Sequence, residues 1–416
     1  MAPRLIASLV LALHLGVAQA LPAATDLRID GDLLPGRSIA LLEQVLSRVK
    51  FNTDPTLLRR GLVENHLLAG EVEGQLSAGN LADLDASVER EAGNLLEQYY
   101  GRSGRQDLRP FLRQSQPLDA QRLREILAPG SRGLVANSLQ LSHEQQREAA
   151  GVELIRWQFP GQPEQHLDLL SLYQGDNVQG QVELQRGNLE YLARQVQSRV
   201  QRDYLWFRLA EEGFTAAERQ GLKTLVRDRL VRQRYLHQIG LYGDFHHESD
   251  ALRALAAEVS DTEAEAYYRR NQARYRNVAG VQAAHIRLPD QASADRVHAE
   301  LQQGLAFDEA VRRYSVAPDK TRTPPGDLGL IRPEDGQLDL LRKTALIQKA
   351  DSLSQPMRID GAFEIVRVRS RQDRQLPLSD RSVRYEVNQA VAREKLASEF
   401  EARLGRLMAD ARVEGL

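Results

Sequence analysis

Apolar residues recur at helical spacing over most of this chain and give way to strand-like runs at only a few places. Leu27-Arg28-Ile29-Asp30-Gly31-Asp32 reads as a short strand entering a turn, after which Ile39, Leu42, Val45 and Val49 follow the helix period. Leu58, Leu62 and the run Leu68 to Val72 continue as an apolar stripe on a second polar helix. Between Asn188 and Tyr242, Leu189, Leu192, Val196 and Val200 form one stripe; Leu222, Leu225, Leu230, Leu236 and Ile239 form another. Ser260 and Glu263 have the spacing of a capping box, in which each side chain takes the other residue's backbone N–H, and they open a helix through Tyr267 and Tyr268. Val383, Val387, Val391, Leu396, Phe400, Leu404 and Leu407 then mark a long amphipathic helix. A helix of that length needs a partner face, because propensity alone gives marginal stability in water.

Two regions break this rhythm. From Asp107 to Gln174 the pattern is interrupted at Pro110, Pro117, Pro129, Pro160 and Pro163, which predicts short helices joined by loops. From Ala284 to Val368 three strand-and-turn pieces appear in order. The first is the apolar strand Ala284-His285-Ile286-Arg287-Leu288. The second is Gly326-Asp327-Leu328-Gly329, which follows the helical run Phe307 to Ser315. The third is Gly361-Ala362-Phe363-Glu364-Ile365-Val366-Arg367-Val368.

Composition narrows the classes of function. At 416 residues the chain exceeds what one core usually serves, so two or three domains are expected. Hydrophobic content of 42% with 27% charged residues fits a globular protein rather than a disordered or membrane-spanning one. A net charge of −2 and an aromatic content of 6% give no basic face and few stacking platforms, which argues against a nucleic-acid partner. The absence of cysteine excludes disulfides, thiolate metal sites and cysteine nucleophiles. Arg4, the apolar run Leu5 to Val17 and the small-x-small triplet Ala18-Gln19-Ala20 read as a cleavable export signal, too short to serve as a membrane anchor. No phosphate loop, dinucleotide fingerprint or His-Glu-x-x-His stretch is present, so no cofactor is expected. His246-His247-Glu248 are adjacent in sequence and cannot face one ion together, which makes them an exposed linker. His298, on a helix with Ala294, Val297 and Leu301, is expected at the surface or boundary. Tyr99, Tyr100, Trp157, Trp206 and Phe207 are expected in the core.

The three ordered pieces resemble the parvulin family of peptidyl-prolyl cis-trans isomerases, whose pattern runs A-x-H-I-L, F-x-x-L-A-x-x-Y-S, G-G-D-L-G and G-Y-H-I-I-K-V. Residues 25–75 resemble the opening of the helical chaperone module in SurA-type proteins. The segment from Ser260 to Tyr275 is similar to the helix that leads into parvulin modules of exported chaperones. The resemblance implies an α+β protein, mostly a helical chaperone domain, with an inserted parvulin-like domain of antiparallel sheet flanked by helices. The expected divisions are a signal at residues 1–20, a helical region at 21–272, the parvulin-like domain at 273–372, and a C-terminal helix at 373–416 that packs back onto the N-terminal region.

The chemistry so implied is rotation about X-Pro bonds, with a barrier of roughly 18–20 kcal/mol and uncatalysed times of about tens to hundreds of seconds. No bond breaks, so the parts needed are an apolar pocket for the proline ring and a small oriented polar network. His285 matches the family's first histidine, and Leu338, Leu341 and Phe363 are the residues implied for substrate binding. Gly326, Asp327 and Gly329 are more simply a turn than a catalytic device. The chain also departs from the pattern. Ala317 stands where the family commonly has an acidic or cysteine side chain, with Asp319 two residues on. Glu364 stands where the second histidine belongs, and Ile359 and Gly361 replace hydroxyl residues. His285 and Glu364 are therefore the expected catalytic pair. A carboxylate opposite His285 favours the protonated ring. Two functions follow: a weak isomerase acting on unfolded exported polypeptides that contain X-Pro bonds, or a degenerate parvulin-fold chaperone that binds such chains without isomerising them.

Overall fold

Leu27 and Ile29 alternate with polar neighbours, and the Asp30-Gly31 pair that follows supplies two residues able to take positive φ. The computed structural model describes residues 25–48, 54–113, 118–129, 138–242 and 249–416. The export signal and His246-His247-Glu248 lie outside the described residues. The chain divides into two compact units, residues 1–251 with 396–416, and residues 252–395.

In the first unit, strands β1 (Leu27–Ile29) and β2 (Asp32–Leu34) pair antiparallel through a two-residue turn with φ of 52° at Asp30 and 102° at Gly31. Positive φ at both central residues matches the right-handed twist of the flanking strands. Helix α1 (Gly36–Arg48) follows, then α2 (Pro55–Val72), which starts at an Asp54 N-cap with proline in its first turn, then α3 (Leu84–Tyr100). The proline-broken region was expected to hold short helices and loops. It holds short helices together with a three-stranded antiparallel sheet of β3 (Leu112–Arg113), β4 (Glu153–Trp157) and β5 (Gln165–Asp168), in the order β3-β4-β5. A register shift between Glu153 and Ile155 breaks the strict alternation that would have marked β4 as a strand. Helices α4 (Leu189–Glu211) and α5 (Ala216–Ile239) complete this part, α5 opening on a Thr215–Glu218 capping box and closing on Gly240 at φ 89°. Leu222 joins the core cluster of α1, α3 and α4, while Leu225 packs with Leu27, Ile29, Leu34 and Leu62. Tyr99, Tyr100 and Trp157 are buried, as the sequence suggested.

The second unit opens with α6 (Asp261–Arg270), whose Ser260–Glu263 capping box is formed on both sides. Strand β6 (Arg276–Leu288), α7 (Gln291–Gln302), α8 (Phe307–Tyr314), β7 (Asp327–Ile331), α9 (Leu340–Ile347), β8 (Met357–Ile359) and β9 (Ala362–Gln375) follow. The strands form one antiparallel sheet in the order β7-β6-β9-β8. Its two faces have separate cores. Ala284, Ile286, Leu288 and Ile365 pack with Ala294, Val297, Phe307 and Val311 of α7 and α8. Val281, Ala283, Val366 and Val368 pack with Leu341, Ala345 and Leu346 of α9. His298 was expected at the surface or boundary, but α7 lies on the sheet along a face that includes it, and it is buried.

Helix α10 (Arg381–Asp410) belongs to both units. Within the second, Val383, Val387 and Val391 cluster with Val259, Ala264, Tyr267 and Tyr275. Within the first, Phe400 and Leu404 cluster with Leu68, Val72, Val226, Val231 and Tyr235. The apolar stripe is therefore shared, because Tyr267 and Tyr275 offer its first half a face of its own. Strand β10 (Val413–Glu414) pairs with β1.

Candidate active site

Period-2 alternation along β6 sends Ala284, Ile286 and Leu288 to one face of the sheet and His285 to the other, the α9 face. The Cα partner of His285 on β9 is Val366, and that of Arg287 is Glu364. Glu364 is thus the diagonal neighbour of His285 on the same face, near enough for long side chains to meet. They do meet: His285 Nδ1 lies 2.8 Å from Glu364 Oε2. The other carboxylate oxygen, Oε1, lies 3.3 Å from an Arg287 guanidinium nitrogen. On the far side of the ring, His285 Nε2 lies 2.8 Å from Asp319 Oδ2. Glu364 is 1% exposed and His285 6%.

Asp319 reaches the ring because the segment between α8 and β7 is stitched to β6. Ser315 Oγ accepts from the Arg287 and Ala317 backbone N–H groups at 3.2 and 3.3 Å, and the Val316 N–H donates to the Arg287 carbonyl at 2.8 Å. The His285 N–H donates to the Gly326 carbonyl at 2.9 Å, and the Gly326 N–H donates to the Asp319 carbonyl at 3.1 Å. Gly326 sits at φ +64°, and a Cβ there would fall 2.3 Å from the His285 carbonyl oxygen, so only glycine fits.

A neutral imidazole has one N–H donor, whereas both ring nitrogens here face carboxylate oxygens at 2.8 Å. Only the imidazolium can donate to both. Burial lowers the His285 pKa, but the hydrogen bonds to Glu364 and Asp319, reinforced by their charges, outweigh it and hold the pKa above the ordinary histidine value. Two cations, His285 and Arg287, thereby balance two carboxylates, which is what lets so many charges be buried together. Among the described residues Asp319 Oδ1 is a buried oxygen with no hydrogen-bond partner.

Two consequences can be measured. Titrating the His285 ring by NMR should give a lower pKa in Glu364→Gln than in the unaltered chain; an equal or higher value would contradict the pairing. The group's pKa is higher folded than unfolded, so its stabilising contribution is complete below about 6.5. It is lost as pH rises through the raised folded pKa, and the second unit should become less stable across that window.

The structure brings His285 and Glu364 together and adds Asp319 to them. Leu341, 8% exposed, and the half-buried Leu338 belong to the apolar cluster on the same sheet face. Phe363 does not join them. It is adjacent to Glu364 on a strand, so it projects to the opposite face and packs with the α7–α8 cluster. Its expected role in substrate binding is corrected accordingly. Arg287 was missed, although its spacing of two from His285 within one strand places it on the same face.

Residues 259–383 match the family model of the PPIC-type PPIASE domain. Over 124 residues the chain is 28% identical to Foldase protein PrsA of Halalkalibacterium halodurans, covering 30% of this chain and 36% of that protein. Over 170 residues it is 28% identical to Foldase protein PrsA of Geobacillus kaustophilus, covering 40% and 57%. The chain thus spans between about a third and just over half the length of these two relatives. Among solved structures, PrsA from Bacillus subtilis aligns with 18% identity over 49% of this chain and 68% of that one, at a TM-score of 0.21. One of the Campylobacter jejuni proteins described as SurA-like chaperones aligns with 18% identity over 54% and 83%, at a TM-score of 0.22.

Proposed function

We propose that this chain, whose residues 259–383 form a parvulin-type peptidyl-prolyl cis-trans isomerase domain, is an exported folding factor that turns X-Pro bonds in unfolded polypeptides slowly. The observation that carries this reading is the His285 ring held between Glu364 and Asp319 on the sheet face that also bears Leu338 and Leu341. Leu338 and Leu341 supply the apolar contact for a proline ring. Rotation about the amide breaks its resonance and shifts electron density toward nitrogen. A protein accelerates it by holding the flanking groups in the twisted arrangement better than in the planar one.

In this arrangement His285 is a positioning residue. Both of its N–H groups are committed to carboxylates, so it keeps no donor for the substrate. Asp319 and Glu364 together hold the ring charged and fixed in orientation beside the Leu338 and Leu341 side chains, so the network acts on the shape and field of the apolar face and not through a bond to the substrate. A network so fully neutralised cannot follow charge redistribution in the amide, which is the physical reason for slow turnover.

A proline-peptide isomerisation assay on the full chain tests this. The unaltered protein should exceed the spontaneous rate by a modest factor, and Asp319→Ala should lower kcat/KM by about tenfold, or ~1.4 kcal/mol of transition-state stabilisation. Glu364→His alone should not raise activity to that of an efficient isomerase while Ala317, buried beside the site, lacks a polar side chain. A rate equal to the spontaneous one in the unaltered chain would leave the binding function without catalysis.

The exported location rests on Arg4, Leu5 to Val17 and Ala18-Gln19-Ala20. Among the described residues no helix is long and apolar enough to cross a membrane. N-terminal sequencing of the mature protein should begin at or near Leu21, and an intact Met1 on protein recovered from the cytoplasm would end this part of the reading.

A further inference from the structure

Three strands meet at Arg287. On β6 it stands directly opposite Glu364 of β9, whereas His285 lies diagonally from that residue. On its other side Glu364 is paired with Met357 of β8. The Arg287 guanidinium reaches across this row: one terminal nitrogen is 3.3 Å from Glu364 Oε1, and the other donates to the Asp360 carbonyl at 3.3 Å. Asp360 and Gly361, at φ 49° and 78°, form the two-residue turn that joins β8 to β9. Two departures from the parvulin pattern coincide here. Arg287 stands at the leucine of A-x-H-I-L, and Glu364 stands at the second histidine. Neither residue suits the site alone. Without Arg287, a carboxylate that is 1% exposed would keep one oxygen with no cation beside it. Without Glu364, the guanidinium would bring an unpaired charge to an apolar face.

We propose that Arg287 is a positioning residue of the isomerase site, one that fixes the Glu364 carboxylate against the His285 ring and ties it to the β8–β9 turn. The inference rests on the isomerase reading and deepens it. A carboxylate held through one oxygen can still turn about its last torsion, which has broad, roughly two-fold minima. Glu364 Oε2 is taken by His285, so a contact on Oε1 removes the remaining freedom. Charge balance alone would be served by any nearby cation and needs no contact with Asp360. Arginine meets the fuller requirement because its planar fork presents two donors at a fixed separation, whereas a lysine ammonium is a point charge. The turn matters because β8 carries Met357 and Ile359, which pack with Leu338 and Leu341 on the face that bears His285. Ring and apolar wall are thereby referred to one guanidinium. Its own root is held, since the Arg287 N–H donates to Ser315 Oγ and its carbonyl accepts from Val316.

The test uses the full chain with Arg287→Ala and Arg287→Lys. Alanine removes both contacts and admits water beside Glu364; lysine keeps the cation and one contact. By NMR, the His285 Nδ1–H should exchange with water about tenfold faster in Arg287→Ala, while the Nε2–H facing Asp319 keeps its rate. The pKa of the ring separates positioning from charge. Losing a neighbouring cation by itself raises a histidine pKa, whereas loosening a hydrogen-bonded carboxylate lowers it. A fall is expected in Arg287→Ala, with the parent value recovered in Arg287→Lys. For a proline peptide, kcat should drop about tenfold in Arg287→Ala at unchanged KM, and lysine should restore most of it. Hydrogen exchange across β6 and β9 should match the parent. If alanine loosens the sheet, Arg287→Gln, which keeps a donor without the charge, carries the same readouts. A His285 pKa that rises on removing Arg287, with Nδ1–H exchange unchanged, overturns the proposal and leaves Arg287 a balancing charge. If the unaltered chain does not accelerate isomerisation, the isomerase reading falls, and the two ring measurements still decide whether Arg287 holds Glu364.

Discussion

A chain ending at Lys395 should lose the fold of its first unit while its parvulin-type domain survives. Residues 396–416 contribute Phe400 and Leu404 to the cluster of Leu68, Val72, Val226 and Tyr235, with Leu407 packed against it. They also place Met408 and Val413 against the cluster of Leu27, Ile29 and Leu34, and pair β10 with β1. Burying one large apolar side chain is worth roughly 1.5–3 kcal/mol, so Phe400 and Leu404 alone account for about 3–6. That is a large part of the ~5–15 kcal/mol that holds a typical domain together. Each kcal/mol shifts the melting midpoint of a domain of this size by about 2–4 °C, so a fall on the order of 10 °C or more is expected, or no cooperative melting at all. Both tryptophans, Trp157 and Trp206, lie in the first unit, so intrinsic fluorescence reads that unit without interference from the other. Hydrogen exchange across β6 and β9 reports the second, and should stay protected. An unchanged fluorescence melt in the truncated chain would show that the α10 contacts do not hold the first unit together.

Gly326→Val should be the most damaging single change in the second unit. Its φ of +64° strains any side-chain-bearing residue, at a cost of about 1–3 kcal/mol. The new Cβ would also lie 2.3 Å from the His285 carbonyl oxygen, a backbone atom that cannot swing aside, and 3.1 Å from Val311. Relieving that overlap costs about a further 1–3 kcal/mol and pulls the His285 N–H away from the Gly326 carbonyl. The same shift moves Asp319, whose carbonyl accepts from the Gly326 N–H. The expected result is faster hydrogen exchange in residues 276–288 and 362–375, with kcat/KM for a proline peptide reduced more than tenfold, or beyond ~1.4 kcal/mol. Gly329→Ala is the matched control: φ is also positive, at +73°, but nothing lies within 4 Å of the added methyl, so it should cost less. Equal damage from the two would remove the close approach as the cause.

What could be seen in the sequence was whatever chemistry is local. The Ser260–Glu263 box, the Asp30-Gly31 turn and the stripes of α4 and α5 depend on neighbours a few residues away, and the structure has each of them. The sheet of β3, β4 and β5 was not legible, because Leu112 pairs with Trp157 across 45 positions and β4 is bulged. In the site, alternation along one strand was enough to put His285 and Glu364 on a common face, given the pairing of β6 with β9. The same rule, applied to Phe363, removes it from that face, and applied to Arg287 would have added it. Asp319 could be flagged but not placed. Its approach to the ring depends on Gly326 and Ser315 tying a proline-containing segment to β6, which no spacing rule encodes.

The pairing of β1 with β10 also sets an order of events during synthesis. Leu27 and Ile29 are among the first described residues to be made, yet Val413 and Glu414, which complete their sheet, follow the whole of the second unit. A ribosome adding about 5–20 residues per second reaches them some tens of seconds after β1 has emerged. Once Gln375 has been added the parvulin-type domain has all of its sheet, while the first unit still waits with the seats of Phe400 and Leu404 open. The part of the chain made first is therefore finished last, and for that time its exposed apolar surface makes the newborn protein a substrate for the kind of assistance it is proposed to give.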